Sequence, residues 1–160
     1  NALLEHLKEP LRAIRELHRV LKRGGILGIR APDVRGRLGD PVFNEPAHVK
    51  TRELLRRLIE HNGGNWCIGS RIKRLLREAA FGIEEIGASH NCYWTPESLR
   101  AMAQGFAELL RRGRAAEQLV ELGWADRDEL ERGAARALAW AEEPDAFFIE
   151  TFVHGIGRKV

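Results

Sequence analysis

The first periodic stretch of the chain combines a helical pattern with a short apolar run. Apolar side chains recur every three or four residues over positions 11–21, which predicts an amphipathic helix that begins at Pro10. Gly24 and Gly25 follow, and glycine ends helices readily because it adopts the left-handed conformation without a Cβ penalty. Residues 26–31 are then typical of a buried strand. A helix followed by a strand is half of a βαβ unit, whose first strand would precede the helix.

The rest of the chain predicts two further strands and five further helices. The strands are expected at residues 83–89, with Ile83 and Ile86 buried, and at residues 146–153. Residues 33–48 are rich in Gly, Pro, Asp and Asn, which predicts a loop after the first strand. The first two predicted helices are residues 51–60 and a helix whose N-cap is Ser70. The third begins at Thr95-Pro96, and the fourth covers residues 114–122. The fifth begins with a capping box at Asp126.

Composition narrows the class of protein. The 160 residues suffice for one domain, and 44% apolar and 31% charged residues are typical of a soluble globular chain. No apolar run approaches the roughly 18 residues of a membrane span, so no membrane partner is expected. Cys67 and Cys92 form neither a metal-spaced pair nor a disulfide framework, which favours a reducing, cytoplasmic location.

The net charge of +3 conceals an asymmetry along the chain. Residues 1–80 contain 17 Lys and Arg against 9 Asp and Glu, whereas residues 81–160 contain 9 against 14. A basic half attracts nucleic acid or an acidic protein. This leaves open one alternative function, a non-enzymatic basic interaction module. Nucleic acid is not the expected partner, because no aromatic-basic interleaving or reader motif occurs.

Two short motifs carry a resemblance to a known family. The chain reads Leu-Leu-Glu-His-Leu at residues 3–7 and Arg-Val-Leu-Lys-Arg-Gly-Gly at residues 19–25. This pattern resembles the region after the fourth strand of class I S-adenosylmethionine-dependent methyltransferases, of the small-molecule type that includes the ubiquinone and menaquinone biosynthesis enzymes. Residues 78–81, 140–148 and 155–159 resemble later parts of the same fold.

The resemblance implies an α/β fold that is the C-terminal half of a Rossmann-like sheet. Its strands would be the fifth, seventh and sixth of the family, with a helical insertion between the last two. The domain would comprise a core at residues 1–94, a helical cap at 95–143 that roofs the substrate site, and a final strand and tail at 144–160. The partners would be S-adenosylmethionine and a small-molecule methyl acceptor.

A glycine-rich G-x-G-x-G cofactor loop does not occur in these 160 residues. We therefore expect the chain to lack the cofactor-binding N-terminal half of the family, to bind S-adenosylmethionine weakly or not at all, and to be inactive alone. The strand at residues 26–31 would then lack a neighbour. An open edge with bare apolar surface predicts self-association or marginal stability.

The resemblance places Asn1 and Ala2 at the tip of the fourth strand, against the methionine end of the cofactor, and His6 at the cofactor rim. Asn1 is alternatively a frayed terminus, and His6 alternatively caps the adjoining helix. In ubiquinone O-methyltransferases the Glu-His pair and a Glu three residues earlier are linked to a divalent metal. That earlier position is Ala2 here, so no metal is expected, since hard cations need several oxygen ligands.

Three histidines, His6, His48 and His90, are candidates for a catalytic base. Trp66, Tyr93 and Trp94 are candidates for walls of the substrate pocket, because aromatic faces hold flat or cationic groups, and core packing is the alternative for each. Methyl transfer depends mainly on positioning and on exclusion of water. The sequence therefore does not identify the methyl acceptor or the atom that is methylated.

Overall fold

The computed structural model describes residues 3–40 and 46–160, and within them the chain forms six α-helices and four β-strands. In chain order these are α1 (Pro10–Val20), β1 (Ile26–Pro32), β2 (Leu38–Asp40), α2 (Pro46–His61), α3 (Ile72–Glu78), β3 (Phe81–Tyr93), α4 (Pro96–Arg112), α5 (Arg114–Glu121), α6 (Arg127–Trp140) and β4 (Phe147–Lys159). Short 3-10 turns cover Leu4–His6, Val34–Gly36 and Ile68–Arg71. The predicted α/β class is confirmed.

β4 is the strand with which the other three strands pair. β1 runs antiparallel to β4 from the pair Ile26–Arg158 to the pair Pro32–Phe152. β2 runs antiparallel to the first residues of β4, and β3 also pairs with β4. The three strands predicted from the sequence therefore lie in one sheet, in the predicted order with the last strand between the other two.

The chain divides into two compact units. The first comprises Asn1–Arg37, Ile59–Asn91 and Glu150–Val160, and the second comprises Leu38–Leu58 and Cys92–Ile149. No helix in the described part of the chain is long and apolar enough to cross a bilayer. The predicted division into core, helical cap and final strand stays a prediction.

The core of the first unit is formed by α1, α3, β1 and the start of β3. Four apolar positions in or next to α3 are all buried, at 4% exposure or less: Ile72, Leu75, Leu76 and Ala79. In α1, by contrast, Ile14 is fully buried while Leu17 and Val20 are 41% and 59% exposed. The apolar stripe of α1 is therefore wider than the surface that the described core covers.

The second unit is mainly helical, and α4 and α6 begin where the sequence predicts. Thr95 with Ser98 and Asp126 with Glu129 both form complete capping boxes at the starts of α4 and α6. The core of this unit is a cluster of Leu99, Ala103, Trp140, Ala141 and Ala146.

Three glycines that follow helices adopt the left-handed conformation. Gly63 and Gly123 have φ of +86° and +65° shortly after α2 and α5. Gly24 has φ of +78°, but α1 already ends at Val20 with an extended C-cap at Leu21, so Gly24 shapes the turn before β1 and does not end the helix as predicted.

Two further predicted element boundaries are wrong. α2 begins at Pro46, so the predicted loop at residues 33–48 is shorter and contains the unpredicted strand β2. α3 has Arg71 as its N-cap, and the Ser70 hydroxyl donates to the carbonyl of Cys67 instead. The reason is that a 3-10 turn leads directly into α3, so the first helical turn already has helical backbone before Ile72.

The burial predicted for the second strand is also wrong. Ile83 and Ile86 are 36% and 39% exposed, and β3 continues to Tyr93, four residues beyond the predicted end. Successive side chains of a strand point to opposite faces. Positions 83 and 86 are three residues apart in β3, so their side chains face opposite sides of the strand and one packed layer cannot bury both.

The outer edge of β1 is open among the described residues. Gly25 and Asp33, at the two ends of β1, both hydrogen-bond to β4, so the odd-numbered residues between them face β4. The even-numbered Ile26, Gly28 and Arg30 therefore direct their backbone N–H and C=O groups away from β4, and no described strand pairs with them. Ile26 is also 52% exposed. Such an edge is a template for pairing with a second chain.

We predict that the chain self-associates through this edge and that Ile26→Lys weakens the association, because a charged side chain on an edge strand opposes pairing. Sedimentation velocity should show species larger than a monomer for the unchanged chain and a lower average mass for the variant. Val160→Lys is the control, since it adds the same charge at a residue that is 76% exposed and outside β1. A monomeric unchanged chain would contradict the prediction.

Candidate functional site

Two loops of the first unit meet at the carboxyl end of β1, which is where open α/β sheets bind their ligands. The Val34 N–H donates to the carbonyl of Trp66 at 3.2 Å. The Ser70 N–H donates to the Asp33 carboxylate at 3.2 Å. These bonds hold the loop that follows β1 against the segment between α2 and α3.

Two further segments join the same network. The Asn65 N–H donates to the carbonyl of Glu5 at 2.7 Å, which attaches the 3-10 turn Leu4–His6. The Asp33 N–H donates to the carbonyl of Thr151 at 3.0 Å, which attaches β4. Four segments that are distant in the sequence thus converge at one end of the first unit, and we take this as the candidate site.

Asp33 is the central acceptor of the network. Its carboxylate receives the Nε and Nη2 of Arg35 at 2.8 and 2.6 Å, the N–H of Arg35 at 3.3 Å, and the N–H of Ser70. Burial raises the pKa of the Asp33 carboxyl, but the hydrogen bonds and charge of Arg35 together with the Ser70 N–H outweigh it, so the pKa lies below its ordinary value. Asp33 is therefore a structural anion that orders both loops.

Arg37 links the loop to the aromatic side chain predicted as a pocket wall. Its guanidinium lies 4.9 Å from the centre of the Trp66 ring and forms an ion pair with Glu150. Its Nε is buried and has no hydrogen-bond partner in the described structure. Trp66 is thus held on one face by a cation whose charge Glu150 neutralises.

His90 joins the network from β3. Its Nδ1 lies 3.1 Å from Oγ1 of Thr151, and the hydroxyl of Thr151 donates to the carbonyl of Gly36. The imidazole is exposed. Among the candidate bases whose side chains are described, His6 and His90, it is His90 whose side chain the structure connects to the loop after β1.

The other candidates for a base or for cofactor contacts lie elsewhere or outside the described residues. His6 lies in the 3-10 turn, its side chain is 58% exposed, and its Nε2 is 3.7 Å from Oε1 of Glu5. Asn1 and Ala2 lie outside the described residues. His48 lies in α2, and its side chain is also outside the description.

The three aromatic residues predicted as pocket walls do not belong to one unit. Tyr93 and Trp94 lie in the second unit. The Tyr93 ring stacks on Phe148 at 5.8 Å and packs against the core cluster, whereas Trp94 is 69% exposed. Their role as substrate walls stays a prediction, and the packing of Tyr93 fits the alternative of core packing.

Of the residues expected to contact S-adenosylmethionine, the structure describes His6, which lies beside Glu5. Beside His6, the Glu5 side chain is only 3% exposed and its Oε2 has no hydrogen-bond partner in the described structure. A carboxylate oxygen and an imidazole suit the ammonium and hydroxyl donors of this cofactor, but they do not form a complete site. No group of three or more His, Cys, Asp or Glu side chains placed to hold a metal occurs among residues 3–40 and 46–160.

The sequence predicted Trp66 and His90 as site residues but missed others at this end of the sheet. Asp33, Arg37 and Thr151 were not singled out, although Asp33 lies two residues after a predicted strand, close to a position where ligand-binding and loop-ordering side chains are common. The partners of Thr151 carry no local signal, because they come from segments about 60 and 115 residues away.

We predict that Asp33→Asn destabilises the first unit by about 2 kcal/mol at neutral pH, because it removes charge-assisted hydrogen bonds from a buried acceptor. The folded pKa of Asp33 is lowered, so its contribution is present above the unfolded pKa of about 3.9 and is lost as the pH falls through the folded value. Urea unfolding between pH 7 and pH 3 should show the difference between the two proteins shrinking in acid.

The control for this prediction is Glu16→Gln. Glu16 also accepts from a neighbouring arginine, Arg19, but its side chain is 58% exposed, so its loss should change stability little. An equal effect of both substitutions, or a difference independent of pH, would contradict a specific role for Asp33.

Comparison with known proteins supports the family resemblance over the first part of the chain. Residues 1–29 match a family model described as a methyltransferase domain. No curated protein matches the chain. A crystal structure described as a "putative methyltransferase" from Bacillus halodurans C-125 aligns with 99% of this chain at 16% identity and a TM-score of 0.49, and the chain spans 66% of that protein's length. The family model confirms the predicted resemblance to methyltransferases over residues 1–29.

Proposed function

We propose that this chain is part of an S-adenosylmethionine-dependent methyltransferase that acts on a small organic molecule. The observation that carries the proposal is the match of residues 1–29 to a methyltransferase domain. These residues contain α1 and the first four positions of β1, and the carboxyl end of β1 is where the network of the candidate site converges. We assign this end of the first unit to the methyl acceptor.

The cofactor would supply an electrophilic methyl group on a sulfonium. Asn1, Ala2 and His6 are the residues that would contact it, and His6 is the one among them that the structure describes. The contribution of the remaining residues is to bind the acceptor, to order the loops around it and to accept its proton.

Trp66 and the loop after β1 suit a small, flat acceptor. The indole is half-buried and is held by the guanidinium of Arg37, whose charge Glu150 balances. An aromatic face without net charge beside it binds planar groups by stacking and excludes water from them. Positioning and desolvation of this kind account for much of the catalysis that methyl transfer needs.

His90 is the base that we propose for an acceptor that loses a proton. An oxygen or nitrogen acceptor sheds its proton as the new bond to carbon forms, and an imidazole near neutral pH takes it efficiently. His90 is exposed, and it connects through Thr151 to the loop after β1. Its side chain is therefore accessible to a ligand at this end of the sheet.

The alternative of a basic interaction module lacks a specific observation in its favour. Two arginines of the basic half that lie at the site, Arg35 and Arg37, are ion-paired with Asp33 and Glu150. Guanidinium groups already bound to carboxylates are poor ligands for phosphate, so the local charge does not favour nucleic acid.

Two measurements test the proposal. Calorimetry of residues 1–160 with S-adenosylmethionine should show weak or no binding, and tight binding would contradict the expectation that the main cofactor site lies outside these residues. Reading the DNA upstream of the codon for Asn1 should reveal a glycine-rich βαβ segment. Absence of such a segment would remove the support for a methyltransferase.

In the protein that includes this upstream segment, we predict that His90→Gln lowers the rate of methyl transfer by roughly 10²–10⁴-fold. The measurement is transfer of a labelled methyl group from S-adenosylmethionine to an acceptor that supports turnover. His154→Gln is the matched control, because His154 pairs with Glu85 and lies outside the network. Equal losses in both variants, or none in His90→Gln, would contradict the role of His90.

A further inference from the structure

We infer that Thr151 is a positioning residue that fixes the tautomer of His90, with the proton on Nδ1 and the lone pair on Nε2. The catalytic meaning of this inference rests on the proposed function, but the tautomer itself does not. It makes Nε2 of His90 the atom that would accept a proton from the methyl acceptor.

Thr151 is hydrogen-bonded to the loop after β1 through Gly36. A threonine hydroxyl has one hydrogen, and Oγ1 of Thr151 donates it to the carbonyl of Gly36. A carbonyl oxygen accepts and never donates. Toward any other partner, Oγ1 of Thr151 is therefore an acceptor.

The imidazole of His90 is the second partner of this hydroxyl. Nδ1 of His90 lies 3.1 Å from that same Oγ1, within hydrogen-bond distance. Because Oγ1 can only accept here, Nδ1 must carry the hydrogen. In a neutral imidazole one nitrogen is a donor and the other an acceptor, so Nε2 bears the lone pair. Nε2 has no hydrogen-bond partner among the described residues, which leaves it available to a ligand.

The close approach of Gly36 to Thr151 holds this arrangement in place. A Cβ at position 36 would lie 2.6 Å from Oγ1 and 2.9 Å from Cβ of Thr151, so a larger residue would push the two apart. The Gly36 N–H also donates to the carbonyl of Asp33 at 3.1 Å, and the Asp33 N–H donates to the carbonyl of Thr151. The acceptor carbonyl and the hydroxyl therefore belong to one ordered turn.

The carboxylates near Thr151 and His90 already form ion pairs with arginines. Glu150, the neighbour of Thr151, is paired with Arg37, and Asp33 is paired with Arg35. Neither carboxylate is shown bonded to the imidazole, so the hydroxyl of Thr151 is the group that selects the tautomer. The tautomer of a histidine is set in this way by the hydrogen bond of its other nitrogen.

The test is nitrogen NMR of the histidine side chains in residues 1–160, recorded at a pH where the imidazoles are neutral. Two-bond and three-bond couplings from ring protons distinguish Nδ1–H from Nε2–H. We expect His90 to be mainly Nδ1-protonated in the unchanged chain, to lose that preference in Thr151→Val, and to keep it in Thr151→Ser, which retains the hydroxyl.

An unchanged chain in which His90 is mainly Nε2-protonated would overturn the inference, even if Thr151→Val did not fold. A folded Thr151→Val variant with the same tautomer as the unchanged chain would also overturn it. Activity separates this inference from the proposed function. If the tautomer responds as expected but the protein with its upstream segment transfers no methyl group, the proposed function fails and the positioning role stands.

Discussion

The register of β1 against β4 sets the position of the groups at the candidate site. Pro32 lies opposite Phe152, so the next residue, Asp33, lies opposite Thr151 and donates its N–H to that carbonyl. A shift of one residue would turn the side chain of Thr151 to the other face of the sheet, away from Gly36 and His90. The pairing that builds the sheet therefore also assembles the site, and the apolar core beneath it, centred on Ile14 and Ile72, keeps the register in place.

Charge at the site is balanced locally, although the first half of the chain is basic. Asp33 binds Arg35 in a bidentate pair, and Arg37 combines an ion pair with Glu150 and a stacking contact with Trp66. These pairs are partly buried, so leaving either partner alone would cost more than the pair contributes. Their effect is to order the loops around an aromatic face and an exposed imidazole.

Much of the fold follows from local rules that need few residues. The capping boxes at Thr95 and Asp126 appear where the sequence predicts them, because caps depend on neighbours within a few positions. Predictions of burial fail where the exposure of a side chain depends on whether another helix or strand packs over it. Ile83 and Ile86 read as buried strand positions, but both are exposed, because the residues of β3 do not record which of its faces another element covers.

The sequence by itself determined the α/β class, the three main strands, most helix starts and the resemblance of its first residues to a methyltransferase domain, because periodicity, caps and short motifs are properties of contiguous residues. Only the tertiary structure decided which candidate histidine has a partner that defines its chemistry. Thr151 is 61 residues from His90 and 115 residues from Gly36 in the sequence. Hydrogen bonds between such distant positions exist only once the strands have paired and the loop after β1 has folded against them.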